Sequence, residues 1–231
     1  MMRENIERGA VRMVENERQG LTGKQRDILE LARKLFLSQG YYKTSIRQIA
    51  RKLDISLGLV AYYFPTKREL AETIISMQYY GEKRIVCEYV RQMDDPILFS
   101  GTLTKLQMTI FNSPVFRRIY LDALREDIIC DVIIKSGLDT YRWISEKYGL
   151  GYSDDYLALY GNFDAIALER VLLLYGGENQ LVTNVPDTIF KSYMKYLYGD
   201  EQFLEDCCKK TDAIVRRILS EKPELLEFWI S

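Results

Sequence analysis

The sequence predicts an all-α fold: a small N-terminal domain of three helices followed by a larger helical domain. Three observations predict it. Gly and Pro are scarce, 14 and 5 in 231 residues, too few for the frequent turns of an all-β chain. Apolar residues make up 47% of the chain and recur at three- and four-residue spacing, the period of a helix with one buried face. The long stretches between breakers are rich in Leu, Ile, Arg, Lys and Glu, residues that lose little on entering a helix.

Residues 1–22 are polar, with Ile6, Ala10, Met13 and Val14 at helical spacing, so the segment reads as either an arm or a short amphipathic helix. Thr22 offers an N-cap and Gln25 completes a capping box. From Lys24 to Gln39 the residues Ile28, Leu31, Ala32, Leu35 and Phe36 form one buried stripe, which Gly40 ends. A second helix starts at Thr44 or Ser45 and buries Ile46, Ile49, Ala50 and Leu53. Asp54-Ile55-Ser56 then turns the chain, and Ser56 caps a third helix from Leu57 to Tyr63. Pro65 stops that helix, and Thr66 with Glu69 forms a second capping box for a helix beginning at Lys67. So short a turn between the second and third helices reads as a helix-turn-helix on a supporting helix.

Later helix boundaries are expected near Asp94-Asp95-Pro96, Asn112-Ser113-Pro114, Ser136-Gly137, Gly149 to Ser153, Gly176-Gly177, Asn184 to Pro186 and Gly199. A final helix is expected near 201–219, before a tail around Pro223. The domain reading is a 1–22 extension, a 23–72 helix-turn-helix domain and a 73–231 body.

The net charge of −1 conceals a division. Residues 1–75 hold 14 Lys/Arg against 9 Asp/Glu, while the remainder holds 18 against 24. A basic end on an acidic body suits a module for a polyanion attached to a part that stays off it. The chain has no histidine, which removes the commonest general base and zinc ligand and argues against an enzyme. Cys87, Cys130, Cys207 and Cys208 lack metal-ligand spacing, so neither metal nor cofactor is expected. The vicinal pair reads as reduced thiols, with an oxidation-sensitive site as the alternative. No secretory signal is evident, and the most apolar stretch, Ala165 to Tyr175, is too short for a bilayer and carries Glu169 and Arg170. The expected setting is cytoplasmic, with no membrane partner.

In a helix-turn-helix the later helix enters the major groove of duplex DNA while the earlier one crosses the backbone. With Ile46, Ile49, Ala50, Leu53, Ile55, Val60 and Phe64 as core, the outer face holds Ser45, Arg47, Gln48, Leu57, Gly58, Leu59, Ala61, Tyr62, Tyr63 and Lys67. Gly58 allows close approach of backbone to base edges, and Thr44 or Ser45 sits where a helix N-terminus meets phosphate.

The run Phe36-x3-Gly40-Tyr41-x2-Thr44-Ser45-Ile46-x2-Ile49-Ala50, with Ile55-Ser56-x-Gly58-x3-Tyr62-Tyr63-Phe64-x2-Lys67-x2-Leu70, resembles the DNA-binding signature of the TetR family. The resemblance implies phosphate contacts from Thr44, Tyr62, Tyr63 and Lys67, and base-facing positions at Arg47, Leu57, Gly58 and Leu59. It further implies a homodimer on a palindromic operator, a small-molecule effector pocket in the C-terminal domain and release of DNA on effector binding. Repression is the default by resemblance. Asp54 departs from the glycine frequent in that turn, and Leu57, Leu59 and Ala61 replace residues that are often polar or aromatic. Exposed leucines favour thymine methyl groups, which points to an A/T-leaning half-site with Arg47 as the guanine reader.

The body is rich in aromatics, and Phe99, Phe111, Tyr120, Tyr141, Trp143 and Phe163 are candidates to line a pocket, each with ordinary core packing as the alternative. Glu169 and Arg170 are candidates to orient a polar ligand atom, and Asp154, Asp155, Asp164 or Glu169 would suit a cationic one. The resemblance implies a dimer on two late helices, matched best by residues 153–176, through Leu157, Tyr160, Ala165, Leu168 and Leu172, and by 201–219. The competing readings are a helical small-molecule-binding protein or enzyme with an incidental helix-turn-helix, and a regulator that works through a protein partner.

Overall fold

The computed structural model describes residues 21–91, 94–175 and 185–227. The arm-or-helix expectation therefore lies outside the described residues, apart from Leu21 and Thr22, as does the Gly176-Gly177 boundary. Among the described residues there are ten α-helices, a terminal 3-10 turn and no strand.

Helix α1 (Gly23–Gln39) starts at the expected capping box, in which Thr22 accepts from the Gln25 N–H and the Gln25 side chain accepts from the Thr22 N–H. Ile28, Leu29, Ala32, Leu35 and Phe36 are its buried face. It ends at Gly40, whose φ of 87° is a region that L side chains rarely adopt. Helices α2 (Ile46–Lys52) and α3 (Leu57–Tyr63) are capped by Ser45 and Ser56, which accept from the Gln48 and Leu59 N–H groups. Asp54, noted above as departing from the glycine frequent in that turn, takes a left-handed φ of 51°. Helix α4 (Lys67–Tyr89) is capped by Thr66. Its expected capping box is half formed: the Thr66 hydroxyl, not its backbone N–H, meets the Glu69 carboxylate.

Helix α4 runs unbroken through residue 72, so the three-helix domain and the body share one rod. The body continues with α5 (Pro96–Phe111), α6 (Arg117–Arg125), α7 (Ile128–Tyr148), α8 (Asp154–Tyr175), α9 (Val185–Leu197) and α10 (Glu201–Glu221), then the 3-10 turn Pro223–Leu226. Helix α5 is the hub, packed by α4, α7, α9 and α10, while α7 packs on α8 and α4. Gly101 permits this closeness: a Cβ there would lie 2.9 Å from the fully buried Phe190 ring and 3.1 Å from Thr211. Lys105, buried on the same helix, pairs with Asp187 of α9 and Asp212 of α10 and donates to the Cys208 carbonyl.

Two boundaries differ from expectation. Ser136-Gly137 is not a break, because α7 passes through it; a helical glycine costs only about 1 kcal/mol against alanine, and packing outweighs that. A break that no Gly or Pro announces falls at Glu126-Asp127, where Asp127 takes a φ of 58°. Cys207 and Cys208 are free thiols buried on α10, and burial pushes their pKa values up to about 11 and about 12. Both are thus protonated near neutral pH and poor nucleophiles.

Gly101→Val is expected to destabilise the fold by about 1–3 kcal/mol, since neither the Phe190 ring nor Thr211 has room to withdraw. Calorimetric unfolding would register this as a melting temperature lower by several degrees.

Candidate functional site

The first three helices bury Ile49, Ala50, Val60 and Phe64 beneath α1 and hold a fixed outer face. Ser45, Arg47, Leu57, Gly58, Ala61 and Tyr62 stand exposed on it, Tyr62 most of all at 78% of its surface; Leu59 and Tyr63 are half-buried. Tyr62 and Tyr63 pack edge to face, with ring centres 5.2 Å apart. Three basic residues not singled out from the sequence, Lys43, Arg51 and Lys52, are also exposed at the margin of this face. Their signal was present: they supply three of the ten basic residues between Lys24 and Arg68.

Two expected phosphate contacts are placed differently. Thr44 is buried, its hydroxyl donating to the Gly40 carbonyl at 2.8 Å and accepting from the Gln39 amide at 3.1 Å. The hydroxyl closes the α1–α2 connection instead of facing out. Lys67 turns inward: its ammonium donates to the Tyr41 carbonyl at 3.2 Å and sits 3.9 Å above the Tyr41 ring. Partial burial holds its pKa below the ordinary lysine range.

The α1–α2 connection is itself fastened to the body. The Tyr41 N–H donates to the buried Asp122 carboxylate of α6 at 3.0 Å, and Arg118 of α6 donates to the Leu37 carbonyl at 2.7 Å. Arg68 reaches across to Asp131 of α7 at 2.6 Å and to the Glu126 carbonyl.

Residues 28–74 match the family model described as bacterial regulatory proteins, tetR family. The match covers 47 of the 231 residues and makes this N-terminal segment a tetR-type domain. Similar curated proteins include the uncharacterized HTH-type transcriptional regulator YuxN of Bacillus subtilis, 39% identical over 56 residues, which are 24% of this chain and 19% of that protein. The probable HTH-type transcriptional regulator YttP of Bacillus subtilis is 28% identical over 125 residues, 52% of this chain and 58% of its own. The HTH-type transcriptional regulator HbdR of Aromatoleum is 45% identical over 47 residues, 20% of each chain. The chain thus spans from about a fifth to just under three-fifths of the curated relatives it matches.

Behind the tetR-family domain, the body encloses a cavity between α4, α5, α6 and α7, closed further by Leu168 of α8 and by Ile189 and Tyr193 of α9. Its enclosed void is about 80 Å³, and one side opens to the outside. Of the expected pocket residues, Phe111, Tyr120 and Tyr141 line it. Phe99, Trp143 and Phe163 do not. Phe99 is wholly buried one position out of register with the lining face of Ser100, Leu103, Thr104 and Gln107. Trp143 packs near the Lys83 ammonium at 5.7 Å, and Phe163 is on the outer surface, 45% exposed.

The acid in this cavity is Glu82 of α4, which the sequence reading passed over. Asp154 and Asp155 are exposed, Asp154 pairing with Arg142 at 2.8 Å, and the side chains of Asp164 and Glu169 lie outside the described residues. Glu82 occupies the stripe of Ile75, Gln78, Tyr79, Ile85 and Val86, and a charged residue inside an otherwise core-facing stripe was the available signal. It accepts from the Gln78 amide at 2.8 Å and from the Tyr120 hydroxyl at 3.4 Å. Burial raises its pKa to about 7, with bonds from Gln78, Gln107 and Tyr120 acting the other way.

The expected dimer helices also divide. On α8, Leu157 and Leu168 are buried within the chain, whereas Leu159, Phe163, Ile166 and Leu173 share an exposed face. The outer face of α10 carries Glu201, Asp206, Lys209, Lys210, Arg216 and Arg217 and no comparable apolar stripe.

Because the Glu82 pKa is raised in the fold, the folded chain holds a proton that the unfolded chain has released between about pH 4.5 and 7. Stability therefore falls as pH rises through that window. Glu82→Gln, which keeps the planar shape of the side chain without the charge, is expected to melt above the parent at pH 8 and to lose that advantage by pH 5 in parallel thermal scans.

Proposed function

We propose that the chain is a transcriptional regulator that binds duplex DNA as a homodimer through its helix-turn-helix domains and lets go when a small molecule occupies the interior cavity. One observation carries the DNA-binding part. The tetR-family match over residues 28–74 coincides with an outer face on which Arg47, Leu57, Gly58 and Tyr62 stand clear, while Ile49, Ala50, Val60 and Phe64 are buried behind it. The similar proteins named as transcriptional regulators support the reading. On this face Arg47 reads a guanine edge, Leu57 and Leu59 meet thymine methyl groups, and Ser45, Tyr62 and Tyr63 fix the register on phosphates. Lys43, Arg51 and Lys52 add the electrostatic attraction that the inward-turned Lys67 does not supply.

Helix α6 supports the link between cavity and DNA-binding domain. Tyr120 on α6 bonds Glu82 inside the cavity, and two residues on, Asp122 holds the Tyr41 N–H. A ligand that displaces the Tyr120 hydroxyl would rotate or shift a nine-residue helix whose other face carries the α1–α2 connection. In a twofold dimer such a shift changes the separation of the two recognition helices from the about 34 Å of one DNA turn. The ligand acts only through its different affinity for the two separations.

The dimer face supported best is the outer stripe of α8, since four large apolar side chains on one helix face await cover. Helix α10, charged outside, takes no central part.

Selection of genomic fragments by the purified chain, read at low and high salt, tests the function. A short inverted repeat bound at low salt and released at high salt is the expected result; no enriched sequence, or binding indifferent to salt, would overturn it. Arg47→Ala is expected to cost about 1–3 kcal/mol on the selected site and to relax the preference at one base pair per half-site. Ile166→Glu is expected to sediment as a monomer and to lose the inverted repeat while retaining the helical circular dichroism of the parent.

A further inference from the structure

Among the described residues that line the interior cavity, Glu82 is the only ionisable acid, and there is no lysine or arginine. Its chain neighbour Lys83 is buried elsewhere, near Trp143, and does not line the space. The polar groups that meet Glu82 are neutral: Gln78 on its own helix, Gln107 on α5 and Tyr120 on α6. The remaining walls are aromatic or aliphatic, with Tyr79, Phe111, Tyr120, Tyr141 and Tyr193 contributing five rings. Ser100 and Thr104 point their hydroxyls at the Tyr193 hydroxyl, at 2.7 and 3.0 Å, so these polar groups bond one another.

We propose that this cavity takes a monovalent organic cation with an apolar body, with the Glu82 carboxylate as its counter-ion and the surrounding aromatic side chains as its walls. The inference rests on the reading of the cavity as the effector site and narrows it to one chemical class. A buried carboxylate without a cation is costly, because protein dipoles replace its hydration only in part. A bound ammonium would offset that cost directly, and aromatic walls favour cations over neutral bodies of equal size. An anion would meet Glu82 with no base to balance it. A neutral apolar molecule would fill the space and leave the carboxyl group as it was. The same site explains the coupling: a cation that draws Glu82 towards itself competes with the Tyr120 hydroxyl, the one group of α6 that reaches the acid.

The test pairs benzyltrimethylammonium with its neutral isostere 2,2-dimethylpropylbenzene, each measured by equilibrium dialysis against the full chain and against Glu82→Gln. The expected result is at least tenfold tighter binding of the cation by the parent, with that preference abolished in Glu82→Gln while the neutral isostere binds both proteins alike. The parent's preference is a measurement of its own, so the inference is tested even if the variant does not fold. Equal binding of the two compounds by the parent, or cation binding indifferent to Glu82→Gln in a folded variant, would overturn the cation inference and leave the cavity standing as a ligand site. Binding of neither compound would overturn the effector-site reading along with it.

Discussion

The buried hydrogen bond at the seam between the two parts of this chain is the Tyr41 N–H donating to the carboxylate of Asp122. The donor lies in the connection between α1 and α2, and the acceptor lies on α6 in the body. Burying an aspartate so deeply is costly unless hydrogen-bond donors meet its oxygens. Here the Tyr41 N–H meets one oxygen and Arg125 approaches the other at 3.4 Å. Gly40 makes the approach possible: at its φ of 87° a Cβ would lie 3.1 Å from that same Asp122 carboxylate. The glycine is thus required both for the backbone conformation and for the space beside it.

That seam carries further polar contacts beside the apolar core that both parts share. Arg118 holds the Leu37 carbonyl, and Arg68 pairs with Asp131 and the Glu126 carbonyl. Hydrogen bonds and ion pairs are directional, so a small rotation of α6 changes several of them together, whereas a smooth apolar contact would slide. The Glu126-Asp127 break gives α6 an end of its own, and helix α4 passes beneath both domains as a continuous support. A short helix fastened at both faces thus lies beside a long continuous one.

The cavity follows a different physical rule. Helix packing alone would fill it with aliphatic side chains, yet among the described residues its lining mixes hydroxyls, the Gln107 amide and the Glu82 carboxyl group with the rings. Buried polar groups cost stability unless they are satisfied, and here they satisfy one another in small sets, Gln78 with Glu82 and Ser100 and Thr104 with Tyr193. An interior built this way gives up some of the stability that a purely aliphatic core would have.

Local rules in the sequence determined the helical class, the capping box at Thr22, the serine caps at Ser45 and Ser56, the left-handed turn at Asp54 and the outward placement of Arg47, Leu57 and Tyr62. Each depends on neighbours within about four residues, the range over which caps, turn residues and helical periodicity act. The tertiary structure decided which way a side chain on a mixed face points. It turned Thr44 and Lys67 inward and brought Glu82 into the cavity. Phe99 and Trp143 went into solid core, and the exposed stripe of α8 fell on Leu159, Phe163, Ile166 and Leu173 instead of Leu157 and Leu168. Apart from Thr44, which bonds Gly40 and Gln39 close by, these outcomes depend on which element lies opposite, as with Lys67 and Tyr41, 26 residues apart, and Glu82 and Tyr120, 38 apart. Helical periodicity specifies a buried face without naming its partner.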